Sequence, residues 1–372
     1  TMKQTGLIFT AATGGGHNQA ALSLKQQMAQ EGFDMHVIDV FKENGKFLEL
    51  LIEDGYSVVA NRVPYLYGGI YKFSGQRTPN KHLRRFFKVL LKRQLMHYLS
   101  VYEPSILVST HPIFVHLIAE LKREGYTTAA CLSVITDLGV HRFYLHPDID
   151  AYITGLESTK KQLIQFGISP EKIYIYGIPV KSEFYNSVPL PAYEKKNFTL
   201  LVMGGSMGSR KLYSTLAALM RVEKPIDIHV VCGNNAHVRE RIQSHFANVP
   251  EHIHLYTYGF IDNVHELMDH ADLLISKPGG LTLTEAIHKN LPLIMPFFIH
   301  GQEEENAQIL AEEGLGIQVE NIKTLDKTIT HYIDHPEALH AIAEKMHTVS
   351  SQYSLEKIAQ LCFMLTKREF AS

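Results

Sequence analysis

Short apolar runs recur along the chain, separated by longer stretches in which apolar residues return every three or four positions. The short runs suit strands of a buried parallel sheet, and the longer stretches suit helices that cover it. In the first half the pattern predicts strands at Gly6–Thr10, Met35–Val40, Ile106–Ser109, Ala129–Ile135, Ala151–Thr154 and Ile173–Tyr176, with helices between them. The alternation pauses near Gly177–Lys181, and a polar, proline-bearing stretch from Ser187 to Asn197 follows. A new strand at Phe198–Met203 restarts the series, which continues through Ile228–Cys232, Ile253–Tyr256, Leu273–Ile275 and Leu291–Met295 and ends in helical sequence from Leu325 onward. Strand and helix alternating twice over predict an α/β chain of two βαβ domains, residues 1–181 and 182–353. No sequence repeat and no low-complexity tract accompanies the doubling.

The candidate chemistry lies where predicted strands end and helices begin. Asp272–Ser276 is an apolar strand that stops at Pro278-Gly279-Gly280, where a helix starts. Glycines there let backbone amides approach a ligand closely, and the free N–H groups and dipole of a helix start favour an anion such as diphosphate. Glu285 follows about one turn into that helix, placed to accept hydrogen bonds from a ribose. A second strand, Leu291–Pro296, leads to Gly301-Gln302-Glu303 at another helix start, where an amide beside a carboxylate suits the hydroxyls of a sugar. A lone glycine pair marks an ordinary strand-turn-helix corner, whereas these pieces in succession, from residue 276 to residue 306, read as a nucleotide-sugar site.

Both predicted domains carry a glycine-rich turn after their first strand. In the second it is Met203-Gly204-Gly205-Ser206-Met207-Gly208, in which Gly205 and Ser206 would meet phosphate. In the first it is Gly14-Gly15-Gly16-His17. That turn lacks the Gly-Lys-Ser/Thr ending of a P-loop, which disfavours ATP hydrolysis, and its contiguous glycines fail the G-x-G-x-x-G spacing of a dehydrogenase. The positive end of a helix disfavours an imidazolium, so His17 should stay neutral near pH 7 and suits a general base; the plain alternative is that it only closes the turn. Asp137 lies at the end of another strand, where it would orient His17, act as base itself, or cap the next segment. His111 and His141 sit at strand ends of the same domain.

Composition narrows the class. The 372 residues are 45% hydrophobic, enough for two full cores, with a net charge of −2. Three widely spaced cysteines make neither a disulfide framework nor a zinc pattern, so a reducing cytosol is expected. No signal peptide is visible, no apolar run is long enough to span a bilayer, and any membrane contact is expected to be peripheral. The histidines form no HExxH motif, and the lone Asp-x-Asp, Asp148-Ile149-Asp150, lies far from the donor segment, so no metal is expected. Between Gly55 and Tyr102 there is no acidic residue. Within that stretch Leu83, Phe86, Phe87, Leu90 and Leu91 share one helical face, while Arg84, Arg85, Lys88 and Lys92 accompany it, as suits a helix lying in an anionic membrane surface. A solvated structural helix is the competing account, and no nucleic-acid motif supports a third.

The donor segment resembles that of the GT-B glycosyltransferases of the MurG and monogalactosyldiacylglycerol synthase group. Gly259-Phe260-Ile261-Asp262-Asn263 resembles the loop whose backbone reads uracil in that group, Glu285 its ribose-binding glutamate, and Gln302, Glu303 and Asn306 its hexose motif. Gly204–Gly208 resembles its phosphate loop, and Gly14-Gly15-Gly16-His17 matches the motif of diacylglycerol glycosyltransferases residue for residue. Residues 133 to 181 carry the likeness further, with one departure: Phe143-Tyr144 stands where lipid-specific members usually have Trp, and the chain has none. The resemblance implies a GT-B fold, two Rossmann-like domains facing an interdomain cleft, with the last helix, about 354–372, crossing back onto the first domain. It implies a UDP-sugar donor held by Gly205, Ser206, Phe260, Ile261, Gly279, Gly280, Thr282, Glu285, Gln302, Glu303, Asn306 and Lys181, with Lys181 or Lys277 and the helix starts balancing the diphosphate. Gly14, Gly15, Gly16, His111 and His141 would meet the acceptor, and His17 with Asp137 would catalyse. The expected reaction is inverting transfer of a hexose, glucose first, to diacylglycerol at the cytoplasmic membrane face, without cofactor or metal. Transfer to a polyprenyl-linked acceptor, UDP-sugar epimerisation and non-catalytic UDP-sugar sensing are the alternatives.

Overall fold

The computed structural model describes residues 4–11, 15–39, 81–185, 197–204, 208–298 and 301–369, of which 15, 81–90, 209 and 368–369 are described by their backbone alone. The chain divides into two compact units, one running to Lys181, taking in Gly301 and Gln302 and resuming at Gln352, the other formed by Ser182–Phe298 and Glu303–Ser351.

In the first unit β1 (Gln4–Thr10) pairs in parallel with β2 (Phe33–Asp39) on one side and with β3 (Ile106–Ser109) on the other. Outward from β3 follow β4 (Ala130–Val134), β5 (Ala151–Ile153) and β6 (Ile173–Tyr174), all parallel. Among the described residues up to Lys181 its helices are α1 (Gly15–Gln30), α2 (Lys81–Tyr102), α3 (Pro112–Arg123) and α4 (Glu157–Gln165). A parallel sheet covered on both faces buries every strand position, and β3 and β4 are indeed buried throughout, which is why they read as unbroken apolar runs.

Helix α2 departs from expectation. Leu91, assigned above to a membrane-facing stripe, is fully buried, and Leu95 and Leu99 continue its line into the core of the unit. Lys92, assigned to the same membrane face, instead pairs with Glu124 and lies 5.1 Å from the centre of the Tyr126 ring. The physical reason is that an amphipathic stripe looks the same whether it covers a protein core or a lipid surface. The side chains of Arg84, Arg85, Phe86, Phe87 and Lys88 lie outside the described residues. No helix among the described residues is long and apolar enough to cross a membrane.

The second unit repeats the plan. Its sheet runs in the order β12, β11, β10, β7, β8, β9, all parallel, with β7 (Phe198–Met203), β8 (Ile226–Val231), β9 (Ile253–Tyr258), β10 (Leu273–Ile275), β11 (Leu293–Met295) and β12 (Ile317–Gln318). Its helices are α5 (Ser209–Leu219), α6 (Ala236–His245), α7 (Val264–His270), α8 (Gly280–His288), α9 (Gln302–Glu313), α10 (Leu325–Asp334) and α11 (Pro336–Ser350). Strand β11 starts later than the apolar run suggests because Pro292 has no N–H to donate to the ladder, although its carbonyl still accepts from Leu274.

The last helix, α12 (Leu355–Glu369), belongs to the first unit, where it packs on α1 and β4. Its entry is fastened by Tyr353, whose hydroxyl donates to the Gly155 carbonyl at 2.7 Å, and by the Ser354 amide, which donates to the Tyr176 carbonyl at 2.9 Å.

One buried group makes the second unit sensitive to acid. His288, at the end of α8, is 6% exposed, and burial, followed by the neighbouring Lys289 charge, lowers its pKa from 6.5 to about 4. Below pH 6.5 the unfolded chain takes up a proton that the folded protein refuses, so stability falls as pH drops from 6.5 towards 4 and levels off beneath that. At pH 5 this one group removes about 2 kcal/mol. Urea unfolding at pH 7 and pH 5 should therefore show a smaller acid loss in His288→Gln than in the parent chain; equal losses would remove His288 as the cause.

Candidate active site

Open parallel sheets bind ligands beyond the carboxyl ends of their strands, where the chain order reverses direction. In the first sheet that point lies between β1 and β3, because β2 pairs with β1 on the far side. Helix α1 leaves β1 there and carries Gly15, Gly16 and His17 in its first turn, while His111 follows β3 directly. Asp137 follows β4.

His17 is half-buried, and its environment fixes its tautomer. Its Nδ1 lies 2.8 Å from the Thr110 carbonyl oxygen, which can only accept, so Nδ1 carries the hydrogen and Nε2 bears the lone pair. The Thr110 hydroxyl in turn donates to the His17 carbonyl at 3.1 Å, locking the first turn of α1 to the end of β3. Burial lowers the His17 pKa below its ordinary 6.5, against an opposing pull from the Asp137 charge and the Thr110 carbonyl. A neutral imidazole with a free Nε2 is what proton abstraction near pH 7 requires.

The neighbours of His17 have separable parts. His111 meets its ring edge-on at 4.6 Å, and its Nδ1 accepts from the Ile113 amide at 3.3 Å as the N-cap of α3. Burial, then the adjacent His17, holds His111 well below 6.5, so it too is neutral. His141 caps the short turn Arg142–Tyr144, accepting from the Phe143 amide at 3.3 Å and stacking on the Phe143 ring at 4.8 Å. That turn delivers Tyr144, whose hydroxyl donates to Asp137 Oδ2 at 3.4 Å and lies 3.1 Å from the Thr136 hydroxyl. The residues of the lone Asp-x-Asp have other partners: Asp148 accepts from Arg123 at 2.6 Å, and Asp150 accepts from Lys122 and from the Cys131 amide, both at 2.7 Å.

In the second sheet the reversal lies between β7 and β10, the two strands that feed Gly204 and the Pro278-Gly279-Gly280 turn. Gly279 is the N-cap of α8, with φ −77° and no side-chain cap. A Cβ added there would meet nothing within 4 Å, so neither backbone strain nor packing accounts for glycine, and a ligand can approach the backbone closely at that position. Thr282 is half-buried in the first turn of α8, and Glu285 is 8% exposed further along. At the start of α9, Gln302 and Glu303 are half-buried, and Glu303 pairs with Lys277 at 2.6 Å. Lys277 is therefore committed to a carboxylate, and Lys211 on α5 lies in electrostatic reach of both, with its ammonium 5.1 Å above the Phe297 ring. Asn306 is 1% exposed and donates to the Pro278 carbonyl at 3.1 Å, so its amide ties the α9 start to the glycine turn. Beyond β9, Phe260 is 62% exposed and Ile261 half-buried. Lys181 is half-buried at the end of the first unit's long segment. Gly14, Gly205 and Ser206 lie outside the described residues.

Four residues here escaped the sequence reading. Thr110, Thr136 and Tyr144 converge on His17 and Asp137, and Lys211 joins the Lys277–Glu303 pair. Hydroxyls next to strand ends were the available signal for the first two, and a lysine early in the helix after a glycine-rich turn for the last.

Residues 17–180 match the family described as monogalactosyldiacylglycerol (MGDG) synthase, and residues 199–361 match the glycosyltransferase family 28 C-terminal domain. The processive diacylglycerol beta-glucosyltransferase of Bacillus subtilis (strain 168) is 28% identical over 380 residues, spanning 98% of this chain and 97% of that protein. Among solved structures, Acinetobacter baumannii MurG superposes with a TM-score of 0.68 at 18% identity, covering 97% of this chain and 99% of its own. Anabaena HepE, solved in complex with UDP-glucose, gives a TM-score of 0.54 at 12% identity, covering 98% of this chain and 99% of that one. At such identities the two structures bear on the fold alone.

Proposed function

Since the chain belongs to the GT-B glycosyltransferases of the MurG and monogalactosyldiacylglycerol synthase group and makes a glycolipid, we propose that it moves glucose from UDP-glucose to diacylglycerol with inversion. The observation that carries this reading is the tautomer of His17, whose Nδ1 is held by the Thr110 carbonyl and whose Nε2 is left as a base. The acceptor hydroxyl gives its proton to Nε2 while its oxygen bonds to the anomeric carbon from the face opposite the diphosphate. The carbon–oxygen bond to UDP breaks with its electrons on the leaving phosphate, so one displacement inverts the centre.

On the donor side, the amides at the start of α8 and the ammonium of Lys211 meet the diphosphate charge, and no metal takes part. The exposed ring of Phe260 is available to the base, Glu285 to the ribose, and Gln302 with Glu303 to the hexose hydroxyls. The names of the curated relatives support glucose as the sugar and diacylglycerol as the acceptor. The basic sequence at the beginning of α2 supports contact with an anionic, cytoplasmic membrane face, with Arg84, Arg85 and Lys88 each contributing roughly 1 kcal/mol. Lys92 is left out of that surface because Glu124 neutralises it.

The test incubates the protein in EDTA with UDP-glucose or UDP-galactose and diacylglycerol liposomes, then identifies the lipid product. A β-glucolipid from UDP-glucose is expected. Conversion of UDP-sugar without acceptor would indicate an epimerase, and binding without turnover a sensor; either sinks the proposal. Neutralising Arg84, Arg85 and Lys88 together should weaken liposome binding, and unchanged binding would remove the membrane surface.

A further inference from the structure

A carboxylate and an imidazole that cooperate in proton abstraction commonly touch, yet here two hydroxyls stand in series between them. The Nδ1–H of His17 is shared between the Thr110 carbonyl at 2.8 Å and the Thr136 hydroxyl oxygen at 2.9 Å. Thr136 is 5% exposed, Tyr144 1% and Asp137 7%, so the series runs through protein.

The direction of each hydrogen bond follows from the ends of the series. Were Thr136 to donate to Nδ1, the ring would turn a lone pair on the Thr110 carbonyl at 2.8 Å, so Nδ1 donates and Thr136 accepts. The Thr136 hydrogen then has two acceptors in reach, the Tyr144 oxygen at 3.1 Å and the Thr110 carbonyl at 3.5 Å, and the shorter contact, to Tyr144, takes it. Tyr144 must donate to Asp137 Oδ2 at 3.4 Å, because the reverse orientation would set a phenol lone pair against a carboxylate. Burial and the Asp137 charge hold the Tyr144 phenol protonated well above its ordinary 10, so it stays a donor through the working pH range.

We infer that Thr136 and Tyr144 are positioning residues which link the Asp137 carboxylate to the His17 imidazole through a one-way chain of hydrogen bonds and stabilise the imidazolium formed during transfer. This rests on the general-base reading of His17. No proton travels along the chain: the acceptor's proton arrives at Nε2, Nδ1–H stays in place, and each hydroxyl dipole points so as to favour positive charge on the ring. After UDP has left, Nε2 returns its proton to water. The groups facing His17 are His111 from the start of α3, which is neutral, and Asp137 and Tyr144 from the segments after β4.

Steady-state kinetics with UDP-glucose and diacylglycerol liposomes test the chain through Tyr144→Phe, which removes one oxygen and keeps the ring. We expect kcat to fall roughly tenfold, the factor that one lost hydrogen bond to the transition state gives, with KM for UDP-glucose unchanged. The acid limb of the kcat/KM profile, which reports the base, should move to lower pH because the imidazolium has lost support. Adding Asp137→Asn to Tyr144→Phe should cost much less than Asp137→Asn alone, since both cut the same link. Thr136→Ser, which retains the hydroxyl, should recover most of what Thr136→Val loses, and this pair decides the matter if the Tyr144 variant fails to fold. Parent-like kcat and pH profile in Tyr144→Phe, additive costs with Asp137→Asn, or equal loss in Thr136→Ser and Thr136→Val would each overturn the chain. An active His17→Ala would instead overturn the base itself.

Discussion

Replacing His17 by alanine lowers kcat by roughly a thousandfold, the middle of the range for a lost general base. The loss should appear in kcat while the affinity for UDP-glucose stays the same, because the residues proposed for the donor, Glu285, Gln302, Glu303 and Lys211, all sit on elements after β7. Alanine cannot take the acceptor's proton, and water admitted to its place is a far weaker base. The parent enzyme should lose activity as pH falls through the lowered pKa of His17, beneath 6.5, because only neutral imidazole accepts a proton. Product formation by steady-state assay, with calorimetry for donor binding, checks both statements. Turnover within tenfold of the parent would return His17 to the role of a turn-closing residue.

Gly177→Ala should destabilise the first unit by about 3 kcal/mol or more. Its φ is +83°, a left-handed conformation that costs a side chain about 1–2 kcal/mol. The added Cβ would also lie 2.6 Å from Cγ of Tyr353, with both neighbouring ring carbons at 2.9 Å. That ring cannot swing clear cheaply, since its hydroxyl holds the Gly155 carbonyl and the next amide, Ser354, holds the Tyr176 carbonyl. Urea unfolding measures the loss, and Tyr353→Ala in the Gly177→Ala background should regain only the part due to the clash. A midpoint equal to that of the parent would show that the backbone relaxes freely here.

These two residues illustrate what sequence could and could not disclose. His17 stands out because three glycines precede it at a predicted helix start, a local signal. Gly177 marks the pause after β6, but the partner that makes it indispensable comes from residue 353. The strands of both sheets were legible because parallel burial leaves unbroken apolar runs, whereas β12 has two residues and no pattern to detect. The orientation of α2 was misread because Leu91, Leu95 and Leu99 form a stripe that serves a core as well as a lipid surface. The Thr136–Tyr144 series was hidden because Tyr144 turns back onto Thr136 and Asp137 within the irregular connection between β4 and β5, and a hydroxyl gives no periodicity to read.

Helix α12 sets the order in which the protein can mature. Ile358, Ala359 and Cys362 on that helix are fully buried within the first unit, although translation reaches them only after the whole second unit has been made. On the ribosome, therefore, the half of the protein synthesised first should be the last to close. A chain stalled before residue 352 would hold a finished second unit beside a first unit whose core still lacks a wall, which makes the early-made half the natural client for a chaperone.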